Sequence, residues 1–149
     1  MIRLEVIEMT EPSQEALSAL RDYAAVTNPA DTDLLKSFLI RAFDMVQRSA
    51  DVALLSGRYR ICCDDHSGIV RAYMGGKVEG VTNGSGLPVA YNQRGRTIYL
   101  GTDGYAEVEM TVEPSPADYA RLLPVVLRYA TALYDGKESR ELYQILKEC

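Results

Sequence analysis

The sequence contains no tryptophan, two phenylalanines and one histidine among its 149 residues. A single histidine excludes any two-histidine metal site and leaves His66 as the one candidate imidazole base. Cysteine is scarce too. Cys62, Cys63 and Cys149 are odd in number, two of them adjacent, and form neither a disulfide framework nor a C-x-x-C zinc pair. They read as two strand cysteines and one terminal thiol in a reducing compartment. Long apolar runs are missing as well. The longest, Leu122–Leu127, has six residues interrupted by Pro124, against the roughly 20 needed to cross a bilayer. The start, MIRLEVIEMTEPS, has no apolar segment of signal-peptide length, so the expectation is a cytosolic product without a membrane partner.

What is present is the composition of a folded chain, 47% apolar and 25% charged, and its length suits one domain over residues 1–149. The net charge of −5 is unevenly spread along the sequence. Residues 58–98 hold Arg58, Arg60, Arg71, Lys77, Arg94 and Arg96 against Asp64, Asp65 and Glu79, a local +3 that leaves −8 on the remainder. An acidic chain does not seek phosphate backbones as a whole. A basic surface facing an acidic partner or a neighbouring copy is the more informative use of this asymmetry.

Hydrophobic periodicity divides the chain. Ile2, Leu4 and Val6 alternate with Arg3 and Glu5, marking a short strand or extended arm within residues 1–12. Ser13 can cap a helix over about 14–26, and Asn28-Pro29 ends it. Asp31 or Thr32 opens the long central helix, whose stripe of Leu35, Leu39, Ala42, Val46, Ala50 and Ala53 is widened by Leu34, Phe38 and Met45. That stripe predicts a helix to about Leu55 with Gly57 as its C′ glycine, close to 35 Å long. From 58 to 113 the pattern is one of short strands: Tyr59–Cys63, Ile69–Tyr73, Val78–Val81, Thr97–Leu100 and Ala106–Val112. Eight glycines fall between Gly75 and Gly104, and the Gly75–Gly86 tract reads as the loosest part of the chain. Ser115-Pro116 then opens a helix to about Tyr134, and residues 138–148 form a last short one. The predicted fold class is α+β: one long central helix and a C-terminal helical pair, packed with a small, mostly antiparallel sheet or hairpin region.

Catalytic signatures fail one by one. Gly75-Gly76-Lys77 lacks the earlier glycine and the following Ser or Thr of a phosphate loop. Gly84-Ser85-Gly86 has the wrong flanks for a nucleophile elbow. Asn83-Gly84-Ser85 is a glycosylation sequon without a secretory route. His66 lies in Asp64-Asp65-His66-Ser67-Gly68, which reads as a solvated turn, and Glu107 and Glu109 share one strand face as half-exposed alternation. No cofactor, metal or catalytic residue is therefore expected. Ten tyrosines, four of them (119, 129, 134 and 143) in the C-terminal helices, fit either core bodies with hydroxyls at the rim or a surface that becomes dry on assembly.

The order of the parts carries a resemblance. An arm ending Thr10-Glu11-Pro12 leads to a helix with Glu15-Ala16-Leu17-Ser18-Ala19-Leu20-Arg21 and then to a long helix opening Asp33-Leu34-Leu35. After the β region come Ala106-Glu107-Val108-Glu109-Met110-Thr111-Val112 and a helix running from Pro116-Ala117-Asp118 to Leu133-Tyr134-Asp135. Over residues 4–58 and 104–137 this resembles the head–tail connector (adaptor) proteins of long-tailed bacteriophages. Pro124 and the glycine-rich tract depart from that pattern. The resemblance implies a virion protein of the head–tail neck, made in the bacterial host cytoplasm. It implies a dodecameric ring under the portal protein that offers a platform to the next neck, stopper or tail protein, with DNA only as passing cargo. It also implies that the C-terminal part reaches the portal, which makes Lys137, Leu142, Tyr143, Ile145 and Leu146 the portal-interface candidates. Arg71, Lys77, Arg94 and Arg96 are the candidates for contact with a neighbouring subunit or downstream partner. Two alternatives stand beside this one: another non-catalytic assembly factor (a head-completion stopper or tail-completion protein), and a small cytosolic enzyme or ligand-binding domain.

Overall fold

A computed structural model describes residues 1–149, and the chain divides into two compact units. The β unit comprises Met1–Thr10 with Ser56–Glu113; the helical unit comprises Glu11–Leu55 with Pro114–Cys149. Four helices and two antiparallel sheets make the α+β class that the periodicities predict.

In the helical unit, α1 (Gln14–Ala24) begins where Ser13 Oγ accepts the Ala16 N–H at 3.1 Å. The next helix, α2 (Thr32–Ala50), follows a 3-10 turn at Pro29–Asp31. Asp31 makes no side-chain cap; its carboxylate accepts the Tyr134 hydroxyl at 3.0 Å instead. The helix α3 (Pro116–Tyr134) starts with Ser115 Oγ accepting the Asp118 N–H at 3.1 Å, and α4 (Ser139–Leu146) closes the chain. Leu35, Leu39, Phe43, Val46, Leu122 and Val126 are fully buried, and Phe43 stacks on Tyr119 at 6.0 Å between ring centroids. Pro124 sits on the exposed side of α3 with Ala120 one turn before it, so the carbonyl it leaves unpaired faces water.

The central helix is shorter than its stripe. It stops at Ala50, with Asp51 left-handed at φ 56°, and at 19 residues spans about 28 Å rather than 35. Ala53, Leu54 and Leu55 stay buried without being helical, because Gln47 Oε1 accepts the N–H groups of Leu54 and Leu55 at 2.7 and 2.8 Å. Gly57 is not a C′ glycine but the first residue of a strand, and Leu34, assigned to the apolar stripe, is exposed. Two helices end with the same pair of capping bonds, and a third shares the one of longer sequence span. Val26 N–H to Arg21 O and Ala25 N–H to Asp22 O close α1, and Lys137 N–H to Ala132 O and Gly136 N–H to Leu133 O close α3. At the end of α2 the Val52 N–H reaches Gln47 O. Only one of the three uses glycine at the left-handed position.

In the β unit, β1 (Ile2–Met9), β2 (Gly57–Cys63), β4 (Lys77–Asn83) and β7 (Ala106–Val112) form a sheet of order β1-β2-β7-β4. The small sheet holds β3 (Ile69–Arg71), β6 (Thr97–Leu100) and β5 (Tyr91–Arg94), with β6 central. The tract read as loose is mostly β4, ended by a turn in which Asn83 Oδ1 accepts the N–H groups of Ser85 and Leu87. The strand β5 had no apolar alternation to announce it. Gln93 explains its place: its Oε1 accepts the Val78 N–H at 2.9 Å and its Nε2 donates to Gly76 O at 2.8 Å, tying the start of β4 to the small sheet.

Candidate functional site

Register sets which charges meet. Across the large sheet, residues paired on neighbouring strands share a face. Glu5, Arg60, Glu109 and Gly80 form one outward row; Glu8, Arg58, Thr111 and Lys77 form the next. Arg60 meets Glu109 at 3.2 Å and Glu107 at 3.8 Å, while Arg58 lies 3.6 Å from Glu109 and 4.0 Å from Glu8. Glu107 also accepts the Tyr105 hydroxyl at 2.9 Å, which pushes that phenol up to about 12. Glu107 and Glu109 are thus held by arginines and a tyrosine within the sheet.

The small sheet presents a different face. Arg71 pairs with Thr97, and Thr97 pairs with Arg94, so both arginines flank one threonine on the same side. Arg96 follows Gly95 in the β5–β6 turn and its carbonyl accepts the Ala72 N–H at 2.8 Å. Its guanidinium lies beside Gly75, where an added Cβ would sit 3.6 Å from Nη2. Lys77 adjoins Gly76, which Gln93 binds. The four cations predicted as partner contacts are therefore brought to one end of the β unit, all exposed. Lys77 and Arg94 make no salt bridge to a carboxylate. Beyond the basic row the same face carries Ile69 and Tyr99, paired across strands and 52% and 42% exposed. Tyrosine beside cations is an interface composition.

Counting by unit rather than by stretch of sequence changes the charge picture. The β unit holds seven basic and nine acidic side chains, and the helical unit nine and twelve. The +3 of residues 58–98 does not survive folding, because β1 and β7 bring their glutamates to Arg58 and Arg60. Arg71, Lys77, Arg94 and Arg96 lie apart from that row, at exposed positions.

The C-terminal candidates separate. Leu142 is buried, and Ile145 and Leu146 are half-buried; Leu146 O accepts from Ser49 Oγ at 3.4 Å. Arg128 pairs with Glu148, which fastens the end of the chain to α3. Lys137 and Tyr143 remain outward, Tyr143 59% exposed with the Lys147 ammonium 4.9 Å over its ring. A groove of about 380 Å³ runs beside them, lined by Arg41, Met45, Tyr129, Leu142 and Tyr143.

His66 serves its own loops. Its Nε2 donates to Gly104 O at 2.6 Å and its Nδ1 accepts the Gly68 N–H at 3.0 Å, clasping the turn after β2 to the turn before β7. The carboxylate of Asp64 holds the amino group of Met1, and each ion shifts the other: Asp64 falls below, and the amine rises above, its ordinary range. Cys63 is buried, and desolvation pushes its thiol up to about 11. No group of three or more His, Cys, Asp or Glu side chains is arranged to hold a metal ion, and no helix is long and apolar enough to cross a membrane. What periodicity missed is the free edge of β1, taken up below; the strand was legible but its position in the sheet was not.

No protein-family model matches the chain, and no curated protein does. Solved structures do. A chain in the neck of an empty gene transfer agent (GTA) particle, computed with C6 symmetry, aligns at TM-score 0.57 over 94% of this chain and 93% of its own, with 17% identity. The neck of the native GTA particle, computed with C12 symmetry, gives 0.52 over the same shares and at the same identity. The virion of the native particle gives 0.54 over 97% and 93%, again at 17%. At that identity the likeness is one of fold, and it runs nearly end to end. The resemblance read from the order of elements is borne out: this is the fold of a neck component of phage-like particles.

Proposed function

We propose that this chain is a structural component of a head–tail neck: a connector that closes into a ring beneath the portal and offers a platform to the next neck or tail protein, with DNA passing through. The observation that carries this reading is a fold shared over 94% of the chain with neck chains found in C6- and C12-symmetric assemblies. Twelve copies is the expected ring, in the neck of the finished virion after synthesis in the host cytoplasm. A net charge of −5 suits a channel wall that must not retain phosphates. Nothing in this role requires catalysis, and His66, Glu107 and Glu109 are engaged in holding loops and strands.

In this reading Lys137 and Tyr143, both exposed, make the portal contact, and Leu142, Ile145 and Leu146 hold α4 in position for them. Arg71, Lys77, Arg94 and Arg96 face acidic patches of a neighbouring subunit or of the downstream partner. The C6 neck supports a second reading, a hexameric stopper or tail-completion factor. Native mass spectrometry and electron microscopy of the protein, alone and mixed with its portal, separate the two. A ring of twelve bound to portal supports the connector; six copies that bind tail but not portal support the alternative. Protein that stays monomeric with both partners sinks each reading. Tyr143→Ala with Lys137→Glu is a cleaner probe of portal binding than deletion of 137–149, which would also remove the buried Leu142 and its packing beside Met45 and Tyr129.

A further inference from the structure

The four-stranded sheet ends on β1, and the outer edge of that strand is unpaired over its length. The Asp64 N–H donates to Met1 O, so Met1 and Asp64 form a hydrogen-bonded pair of the antiparallel ladder. Alternation then turns the N–H and C=O groups of Arg3 and Glu5 toward β2 and those of Ile2, Leu4 and Val6 toward the free edge. Long edges are usually blunted by lysine, proline or very short strands. This one has eight residues, IRLEVIEM, with neither lysine nor proline, and its irregularity between Val6 and Glu8 lies beyond the regular segment Ile2–Val6. Its apolar row is also incompletely covered, with Ile2 39% and Val6 43% exposed.

We propose that this edge pairs with the same edge of a second copy, antiparallel about a twofold axis at Leu4. Three conditions are met together in that register. Hydrogen bonding requires even-numbered residues opposite one another, and Ile2 with the partner's Val6, Leu4 with the partner's Leu4, and Val6 with the partner's Ile2 meet it. Face matching requires apolar opposite apolar, and the same three pairs continue the apolar row. Charge requires opposite signs on the outer face: Arg3 already pairs with Glu5 of its own strand at 2.8 Å, and in this register it also falls opposite the partner's Glu5 on both sides of the axis, so the four charges alternate. Shifting the sum of paired numbers by two breaks the last condition: one slip sets Arg3 against the partner's Arg3, the other sets Glu5 against the partner's Glu5. Six backbone hydrogen bonds and two ion pairs would join the two sheets into one of eight strands.

A twofold contact has no place between neighbours in a purely cyclic ring. The pairing therefore belongs to the free protein and competes with ring closure. The contact joins only five residues of each copy, Ile2–Val6, so a weak dimer that depends on concentration is expected. Sedimentation velocity across a concentration series from micromolar to millimolar is the test, and mass two is distinct from a ring of six or twelve. Among backbone donors Leu4→Pro removes only one that faces the edge, at the cost of the half-buried leucine side chain, and it should abolish the dimer while β1 stays paired to β2. Arg3→Glu turns both ion pairs into like-charge contacts and should weaken dimerisation about tenfold, with the melting temperature read in parallel. A wild-type chain that stays monomeric to millimolar, or a folded Arg3→Glu or Leu4→Pro variant that dimerises like the parent, overturns the proposal. Ring formation with portal that persists in these variants leaves the connector reading standing.

Discussion

The two sheets of the β unit use arginine in opposite ways. On the large sheet Arg58 and Arg60 lie between strands that each bring a glutamate, and their charge is consumed within the sheet. On the small sheet Arg71 and Arg94 flank a threonine, and no cross-strand partner is acidic. The residue type is identical; strand order decides whether a glutamate or a threonine stands opposite it. A charge count over a stretch of sequence merges the two, and the structure separates them.

That contrast is open to attack at several strengths. The basic end of the β unit is a fixed surface only if the small sheet is packed, and Ile98, fully buried on its central strand, supplies the packing. Ile98→Ala should cost about 2–5 kcal/mol in denaturant unfolding. A cost below about 1 kcal/mol would mean the cations ride on a loose hairpin. Next, Arg94→Glu with Arg96→Glu should lower ring assembly or tail attachment by at least about tenfold, equivalent to about 1.4 kcal/mol, without moving the thermal transition. Unchanged assembly removes the basic cluster as an interface.

Arg60→Met should lose about 1 kcal/mol or less, as befits a half-exposed ion-pair row, and the loss should shrink in molar salt. Arg94→Met should stay within about 0.5 kcal/mol of wild type. Equal effects for the two would erase the distinction between the sheets.

Titration gives smaller tests. Cys63, on the buried face of β2, has its thiol raised by burial from its ordinary value to about 11. The native state thus keeps a proton that the unfolded chain has released, and stability should fall as pH rises from about 9 toward 11. Cys63→Val should flatten that slope in urea titrations at successive pH values. The smallest effect belongs to the exposed pair of Met1 and Asp64. Its amine is raised, so its contribution is full below the ordinary amine range and fades as pH climbs through the folded value. Its carboxylate is lowered, so the contribution also fades as pH falls through the carboxylate's folded value. Asp64→Asn should remove both dependences, with the change in amide exchange at the start of β1 as the readout.

Much of the fold was legible because its signals are local. Ser13 and Ser115 cap the helices they precede, Pro116 takes the first helical position, and the alternation of Ala106–Val112 is that of a strand buried on one face. The misreadings share one cause. Apolar periodicity marks burial, and burial outlasts the helix: Ala53–Leu55 are buried in a loop whose N–H groups are paired by Gln47, fully buried itself. Likewise β5 carries no apolar stripe, because hydrogen bonds from Gln93 hold it where packing does not.

By itself the sequence determined the class of the fold, the order of its helices, the serine caps of α1 and α3, and the period-two strands. Caps, turns and periodicities act within a few residues, so one chain read in order suffices for them. Strand order, the neutralisation of Arg58 and Arg60, the exposed positions of Arg71, Lys77, Arg94 and Arg96 apart from that row, and the bare edge of β1 were decided only by tertiary structure. Each depends on which residues far apart in sequence become neighbours across a sheet, and that follows from how the whole chain closes its hydrogen bonds and buries its apolar surface.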